Sequence, residues 1–378
     1  MRSRALLGLA APAAALVFSI VLSALALQLS GNDPFDALSA MWDYGNRTNV
    51  RISIINEAVP LYLSGLAVAV GFKMGLFNIG VEGQYGLAAL LAASVGGTVD
   101  LPAPLHVALI IVVAMAVGGA WAGVAGVLKV TRNVHEVIST IMLNFIATGF
   151  GAYLLADYLK EEAPVGGLNV KTPEIPPSGQ FPSLNRLLDA VGVEVPSGAN
   201  LQGFVLIALL AGFGYHVLVN RLRFGFDLRA SGINPWAAQT SGVAPKAMVV
   251  RTMFISGAIA GLVGLSALLG FSHQYTLDFP TGFGFAGIAA ALLGRNHPVG
   301  IAIGALIFSY LNKSAQILDL EDIPKEIVTI MQGIIIISVV VAYEVVRRLV
   351  LAQEAHAAGS TEPPGPPGPQ EQRTEVTA

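Results

Sequence analysis

Cysteine is absent from the 378-residue chain. That excludes disulfides, thiolate-held zinc or iron–sulfur clusters, and a cysteine nucleophile. Charge is scarce: 21 Lys and Arg together with 24 Asp and Glu make up 12% of the residues. An ordinary soluble domain carries roughly 25%, so the composition argues against a soluble enzyme or a coiled coil. The net charge of −3 supplies no basic field, and no nucleic-acid partner is expected. No Gly-Lys dipeptide occurs, so a phosphate-cradling P-loop, and ATP hydrolysis by that route, are ruled out. His106, His135, His216, His273, His297 and His356 include no pair at helical i, i+4 spacing. No nucleophile elbow or zinc motif is present. The chain therefore reads as non-catalytic, with no metal or cofactor expected.

What is abundant is apolar sequence: 54% of residues, with a mean hydropathy of +0.67. Lipid is the solvent that tolerates so little charge, and the expected class is an all-α polytopic membrane protein. Ten candidate spans are read at about 5–29, 53–72, 81–99, 103–127, 136–157, 201–220, 252–270, 283–294, 298–315 and 326–346. The eighth is short. Arg2, Arg4 and Ala24-Leu25-Ala26 leave a cleaved signal peptide as the alternative for the first. Its apolar run is longer than the 7–15 residues of a signal core, which favours an anchor. With the N-terminus inside, alternation places fourteen of the 21 Lys and Arg on the inner side. The excess of basic residues on the cytoplasmic side then predicts both termini inside.

Between the spans, 30–52 is expected to form a short external amphipathic piece. Residues 158–200, rich in proline, are expected to be irregular external cover. The Pro/Gly-rich tail at 351–378 is expected to be disordered. Gly119-xxx-Gly123, Gly257-xxx-Gly261 and Gly300-xxx-Gly304 have the small-residue spacing of close helix packing. Packing within one subunit is the expected use, and a dimer contact is the other.

Three stretches carry chemistry. In Gly71–Gln84, glycines mix with Asn78, Glu82 and Gln84 between two spans. Broken backbone at membrane depth is tolerated where it lines a cavity or is buried in protein. A carboxylate at the start of a span is a functional-site candidate, so Glu82 either lines a cavity or caps a helix. In Thr131–Asn144, polar residues enter span five; Asn144 makes either an interhelical hydrogen bond or a substrate contact. In the internal loop 221–251, Asn234 precedes Pro235, an N-cap followed by proline at the first helical position. Gly242 is positioned to stop that helix. The short helix at about 235–241 either meets a soluble partner or rests on lipid headgroups.

These residues also carry a resemblance. Gly75–Gln84, Asn133–Asn144, Gly232–Gly242 and Ser256-Gly-Ala-Ile-Ala-Gly261 together resemble the permease subunit of bacterial ABC importers in the branched-chain amino acid, simple-sugar and nucleoside group. Over about 1–350, the wording is most similar to the longer permease of nucleoside uptake systems. The resemblance implies a ten-helix fold of the vitamin B12 importer permease type, in which helices two to five and seven to ten form inverted halves. It also implies a permease domain over 1–350 in the bacterial cytoplasmic membrane, surrounded by membrane lipid. A separate ATP-binding cassette ATPase would drive alternating access, a second related permease (or a second copy) would share the pathway, and an extracytoplasmic solute-binding protein would deliver solute. Gly232, Asn234, Pro235, Trp236, Ala237, Ala238 and Gly242 would form the ATPase coupling helix; Asn78, Glu82, Gln84 and Asn144 would border the substrate pathway. Nucleosides are the expected cargo, with simple sugars such as ribose or galactose as the alternative. An ion-coupled secondary transporter would need mid-span carboxylates, whereas Glu57, Glu82 and Glu136 lie near span ends.

Overall fold

The computed structural model describes residues 17–18, 20–25, 27–29, 31–161, 170–321, 323, 327–338, 341, 345 and 348. The tail at 351–378 and most of the first candidate span lie outside them. Two compact units are present, one over Ala24–Gln332 and one over Met1–Ser23 with Gly333–Ala378. The described residues of the second unit are helical.

Among the described residues of the larger unit the regular elements are helices, joined by irregular segments with two isolated β-bridges, Lys171 to Thr276 and Ser183 to Gln202. In chain order its helices are α1 (Pro34–Gly45), α2 (Thr48–Phe72), α3 (Val81–Thr98), α4 (Ala103–Arg132) and α5 (Glu136–Leu154). There follow α6 (Val205–Asn220), α7 (Arg223–Ile233), α8 (Pro235–Thr240), α9 (Pro245–Gly261), α10 (Phe283–Leu293) and α11 (Pro298–Ser314). Among the described residues, five stretches are long and apolar enough to cross a membrane: Thr48–Phe72, Ala103–Arg132, Glu136–Leu159, Pro245–Ser272 and Pro298–Leu320. α6 and α7, bent by 64°, make a sixth when taken as one.

Ten spans are expected from the sequence, against these five or six among the described residues, and individual helix ends also differ. The second span begins at Thr48 instead of 53, because polar Asn49 and Arg51 are accommodated in its first turn. The 30–52 piece is a true helix, α1, capped by Asp33, whose carboxylate accepts from Phe35 N at 2.7 Å. α1 buries Ala37, Met41 and Gly45 at i, i+4 spacing and exposes Phe35 and Trp42. The expected irregular cover contains a 3-10 turn at Pro177–Gly179 and a short helix at Asn185–Ala190. α7 was not anticipated; its charged residues hid its periodicity.

α2 is the central post, with Ala58 to Gly71 buried on every side. Around it the helices approach through small residues. A Cβ added at Gly257 would run into the Gly118 carbonyl, and one at Gly261 into the Ala114 carbonyl. One at Gly300 would meet the backbone of Gly294. The small-residue spacings therefore serve packing inside the chain, where close backbone contact replaces the absent hydrophobic drive of lipid.

Candidate functional site

The site is built on the N-termini of α3 and α10. The first backbone N–H groups of a helix have no partner within it and must be satisfied from elsewhere. Neither helix caps itself: the residue before α3 is Gly80 and that before α10 is Gly282, and neither makes a side-chain cap.

At α3 the cap comes from α5. Asn144 Oδ1 accepts from Gly83 N and its Nδ2 donates to Ile79 O, both at 2.9 Å. Asn144 thus makes the interhelical bond that was one of its two readings. Behind it lies a closed amide network. Asn78 and Gln84 exchange two hydrogen bonds, Asn78 Nδ2 to Gln84 Oε1 at 2.9 Å and Gln84 Nε2 to Asn78 Oδ1 at 2.8 Å. Asn78 also donates to Ser256 Oγ at 2.8 Å and accepts from Gly80 N at 3.1 Å. Ser256 Oγ in turn donates to Ala67 O at 2.6 Å. Asn78, Gln84 and Ser256 are all buried, so this network knits α2, α3, α9 and the 73–80 turn together.

At α10 the cap is a carboxylate from α3. Glu82 Oε1 accepts from Gly282 N at 2.6 Å and Oε2 from Gly284 N at 2.8 Å. Tyr85 Oη lies 2.7 Å from Oε1 and 3.1 Å from Pro280 O. Glu82 therefore caps a helix, but one 200 residues away in sequence. The partial positive charge of a helix N-terminus favours an anion there. The two N–H groups at the α10 terminus therefore both point at this carboxylate.

Beside Glu82 lies a cavity of about 140 Å³. α3 lines it with Glu82, Tyr85 and Gly86, and α5 with Thr148 and Gly151. The segment before α10 contributes Tyr275, Phe279 and Thr281. The Tyr275 and Phe279 rings stack with centroids 4.6 Å apart. Glu82 is thus both cap and cavity wall, whereas Asn78, Gln84 and Asn144 stand behind the wall. The Tyr275 segment is anchored from the other side by the 170–183 stretch: Thr172 N donates to Tyr275 O and Tyr275 N to Thr172 Oγ1, each at 3.0 Å. Sequence reading missed Tyr85, Tyr275 and Phe279, since lone aromatics in apolar sequence carry no motif.

The coupling candidates form a second constellation. Asn234 Oδ1 accepts from Trp236 N and Ala237 N, both at 3.1 Å, with Pro235 opening α8. Gly242, at φ +81°, closes it. There Gly242 N donates to Gln239 O and Val243 N to Ala238 O, each at 3.0 Å. This is the pairing of a Schellman stop, which needs the left-handed residue that glycine supplies. Ala238 is buried, whereas Gly232, Asn234, Pro235 and Ala237 are exposed and Trp236 is 80% exposed. Gly232 packs on the backbone of Met74, where an added Cβ would come within 2.9 Å. α7 therefore rests on the turn that leads to Asn78 and Glu82, and α8 follows it directly. In that turn, burial and then the Arg229 charge hold the Lys73 ammonium below the usual lysine range.

Comparison with known proteins gives a consistent result. Residues 50–340 match the family model described as branched-chain amino acid transport system / permease component. The guanosine ABC transporter permease protein NupP of Bacillus subtilis is 36% identical over 88% of this chain and 93% of its own length. A glucose ABC transporter permease protein of Haloferax volcanii is 30% identical over 86% of this chain and 85% of its own. The nucleoside ABC transporter permease protein NupB of Lactococcus lactis is 28% identical over 94% and 96%. No solved structure matches.

Proposed function

The chain belongs to the branched-chain amino acid transport system / permease component family, and from that premise we propose that it is the membrane subunit of an ATP-driven nucleoside importer. A multi-pass membrane protein of this family is an ABC permease. The finer reading follows the sequence expectation. The chain crosses the cytoplasmic membrane ten times in a B12-importer-like arrangement, with both termini inside. It works with a separate ATPase, a second permease chain and an extracytoplasmic solute-binding protein.

The observation that carries the coupling reading is the preformed α8 with Trp236 standing out of it. Its backbone is capped at both ends and Ala238 already fills its inward contact. A large exposed aromatic on a rigid turn is the kind of side chain that anchors an interface. Docking of the ATPase on Trp236 would press α8, and through it α7, on the Met74 turn, and so on the α3 N-terminus that carries Glu82. Closure of the ATPase then biases the spans between outward and inward access.

Nucleoside cargo is supported by the guanosine and nucleoside permeases among the relatives. The glucose permease supports a simple sugar as the second reading. The test is reconstitution with the ATPase and binding protein, using labelled guanosine and labelled glucose. ATP-dependent guanosine uptake is expected, and Trp236→Asp should abolish ATPase co-purification while leaving the permease's thermal melt in place. Unchanged co-purification and unchanged uptake in Trp236→Asp would overturn the coupling role.

A further inference from the structure

We propose that the cavity beside Glu82 is a one-ring subsite that receives the planar base of a nucleoside against Tyr275, leaving the sugar toward the cavity mouth. The inference rests on the nucleoside reading above and adds which part of the solute is gripped, and by which residues.

Size makes the first cut. A protein cavity of about 150 Å³ holds a single benzene ring. The space here, about 140 Å³, takes one ring system and not a whole nucleoside. The walls make the second. Tyr275 and Phe279 stack on each other at an interplanar angle of 21° and form one aromatic wall. Gly86 of α3 and Thr148 and Gly151 of α5 line it with small side chains. Aromatic faces bind bases of any sequence by stacking.

Hydrogen-bonding capacity makes the third. A carboxylate offers about four acceptor positions. Gly282 N and Tyr85 Oη occupy two at Oε1 and Gly284 N one at Oε2. One position is left, on Oε2, enough for a single N–H at a base edge. A pyranose presents hydroxyl groups around its whole rim. Beyond Glu82 and its partner Tyr85 the side-chain hydroxyls of the lining are those of Thr148, Thr281 and Tyr275, too few to satisfy the whole rim, so several hydroxyl groups would be left without partners, at a cost. The acceptor count therefore favours the base over the sugar.

Gly86 gives the subsite a steric handle. A Cβ added there meets no atom within 4 Å, so alanine fits at this point of the cavity wall without displacing the fold. Alanine at a helical glycine is also the better helix former.

The test uses the complete transporter in proteoliposomes, with an azido-pyrimidine nucleoside as photoprobe and peptide mapping as readout. The expected result is labelling within 275–281 or the α3 segment around Gly86. Gly86→Leu should abolish labelling and uptake, Gly86→Ala should reduce them partly, Tyr275→Ala should lower both about tenfold, and Tyr275→Phe should stay near wild type. Gly86→Ala and Tyr275→Phe should match wild type in thermal melt, whereas Tyr275→Ala loses the stack on Phe279 and should melt lower. Should Gly86→Leu fail to fold, the wild-type map and the Tyr275 pair decide alone. Nucleoside uptake with the label elsewhere, or with Tyr275→Ala at wild-type levels, overturns the subsite and leaves the nucleoside reading standing. Uptake of hexose and no nucleoside by wild type overturns both.

Discussion

Two helix starts in this chain meet the same physical demand in opposite ways. α3 begins inside a closed set of neutral amides, where Asn78, Gln84, Asn144 and Ser256 satisfy one another and the local backbone. α10 begins against one carboxylate, Glu82, which opens onto a cavity. Buried neutral polar groups hold a structure together when every member has a partner. A charge costs far more to bury, so a carboxylate is retained where solute or water can still reach it. The α3 end therefore holds the scaffold, and the α10 end is the one we propose to meet the cargo. The contrast also refines a simpler expectation, in which Asn78, Glu82, Gln84 and Asn144 shared one role along the pathway.

Breaking the amide end should have the largest effect on folding. Asn78→Leu removes four hydrogen bonds and strands the Gln84 amide and Gly80 N in a buried site, while Ser256 keeps its bond to Ala67 O. Each unsatisfied buried polar group costs about 1–3 kcal/mol. The expected outcome is a lower melting temperature in detergent and reduced accumulation in the membrane, with uptake falling in proportion to folded protein. Normal yield and melting would show that the network is dispensable.

An intermediate effect is expected at the junction of the two ends. Tyr85→Phe keeps the ring between Glu82 and Phe283 and removes one donor from the carboxylate. A net loss of about 1 kcal/mol in stability is expected, read as a small drop in melting temperature. Uptake should change more than melting, because the freed acceptor position lies beside the cavity. Equal changes in both would assign Tyr85 to packing alone.

The smallest effect is expected from making one end resemble the other. Asn144→Asp keeps the acceptor for Gly83 N, loses the donor to Ile79 O, and places a charge at the α3 N-terminus. The lost bond is worth about 1 kcal/mol, and the attraction of the helix terminus offsets about as much. Thermal melting should stay close to wild type, and a large loss would mean that the neutrality of the α3 end matters more than its hydrogen bonds.

How much of this was legible beforehand follows sequence distance. The caps of α8 are contacts between residues two to five apart, and Asn234, Pro235 and Gly242 announced them. The caps of α3 and α10 come from 61 and 200 residues away, and no local pattern encodes a partner so distant. Glu82 stood out because a carboxylate at a span start is rare; what it caps did not. The shortness of the eighth span was visible, and α10 is indeed 11 residues long. Its meaning, a short helix whose start is held by another helix's side chain, came only with the fold. Tyr275 and Phe279 became a pair only when the segment before α10 turned their rings together.

The measurement that most directly tests the division of labour is Glu82→Gln, assayed for uptake and thermal unfolding in the same reconstituted preparation. Glutamine keeps the length and an acceptor oxygen but removes the charge. The account predicts at least a tenfold loss of uptake with a melting temperature within a few degrees of wild type, since a hydrogen bond to a charged group contributes about 1.5–3 kcal/mol and the packing is unchanged. Wild-type uptake, or a fall in melting as deep as that of Asn78→Leu, would contradict it.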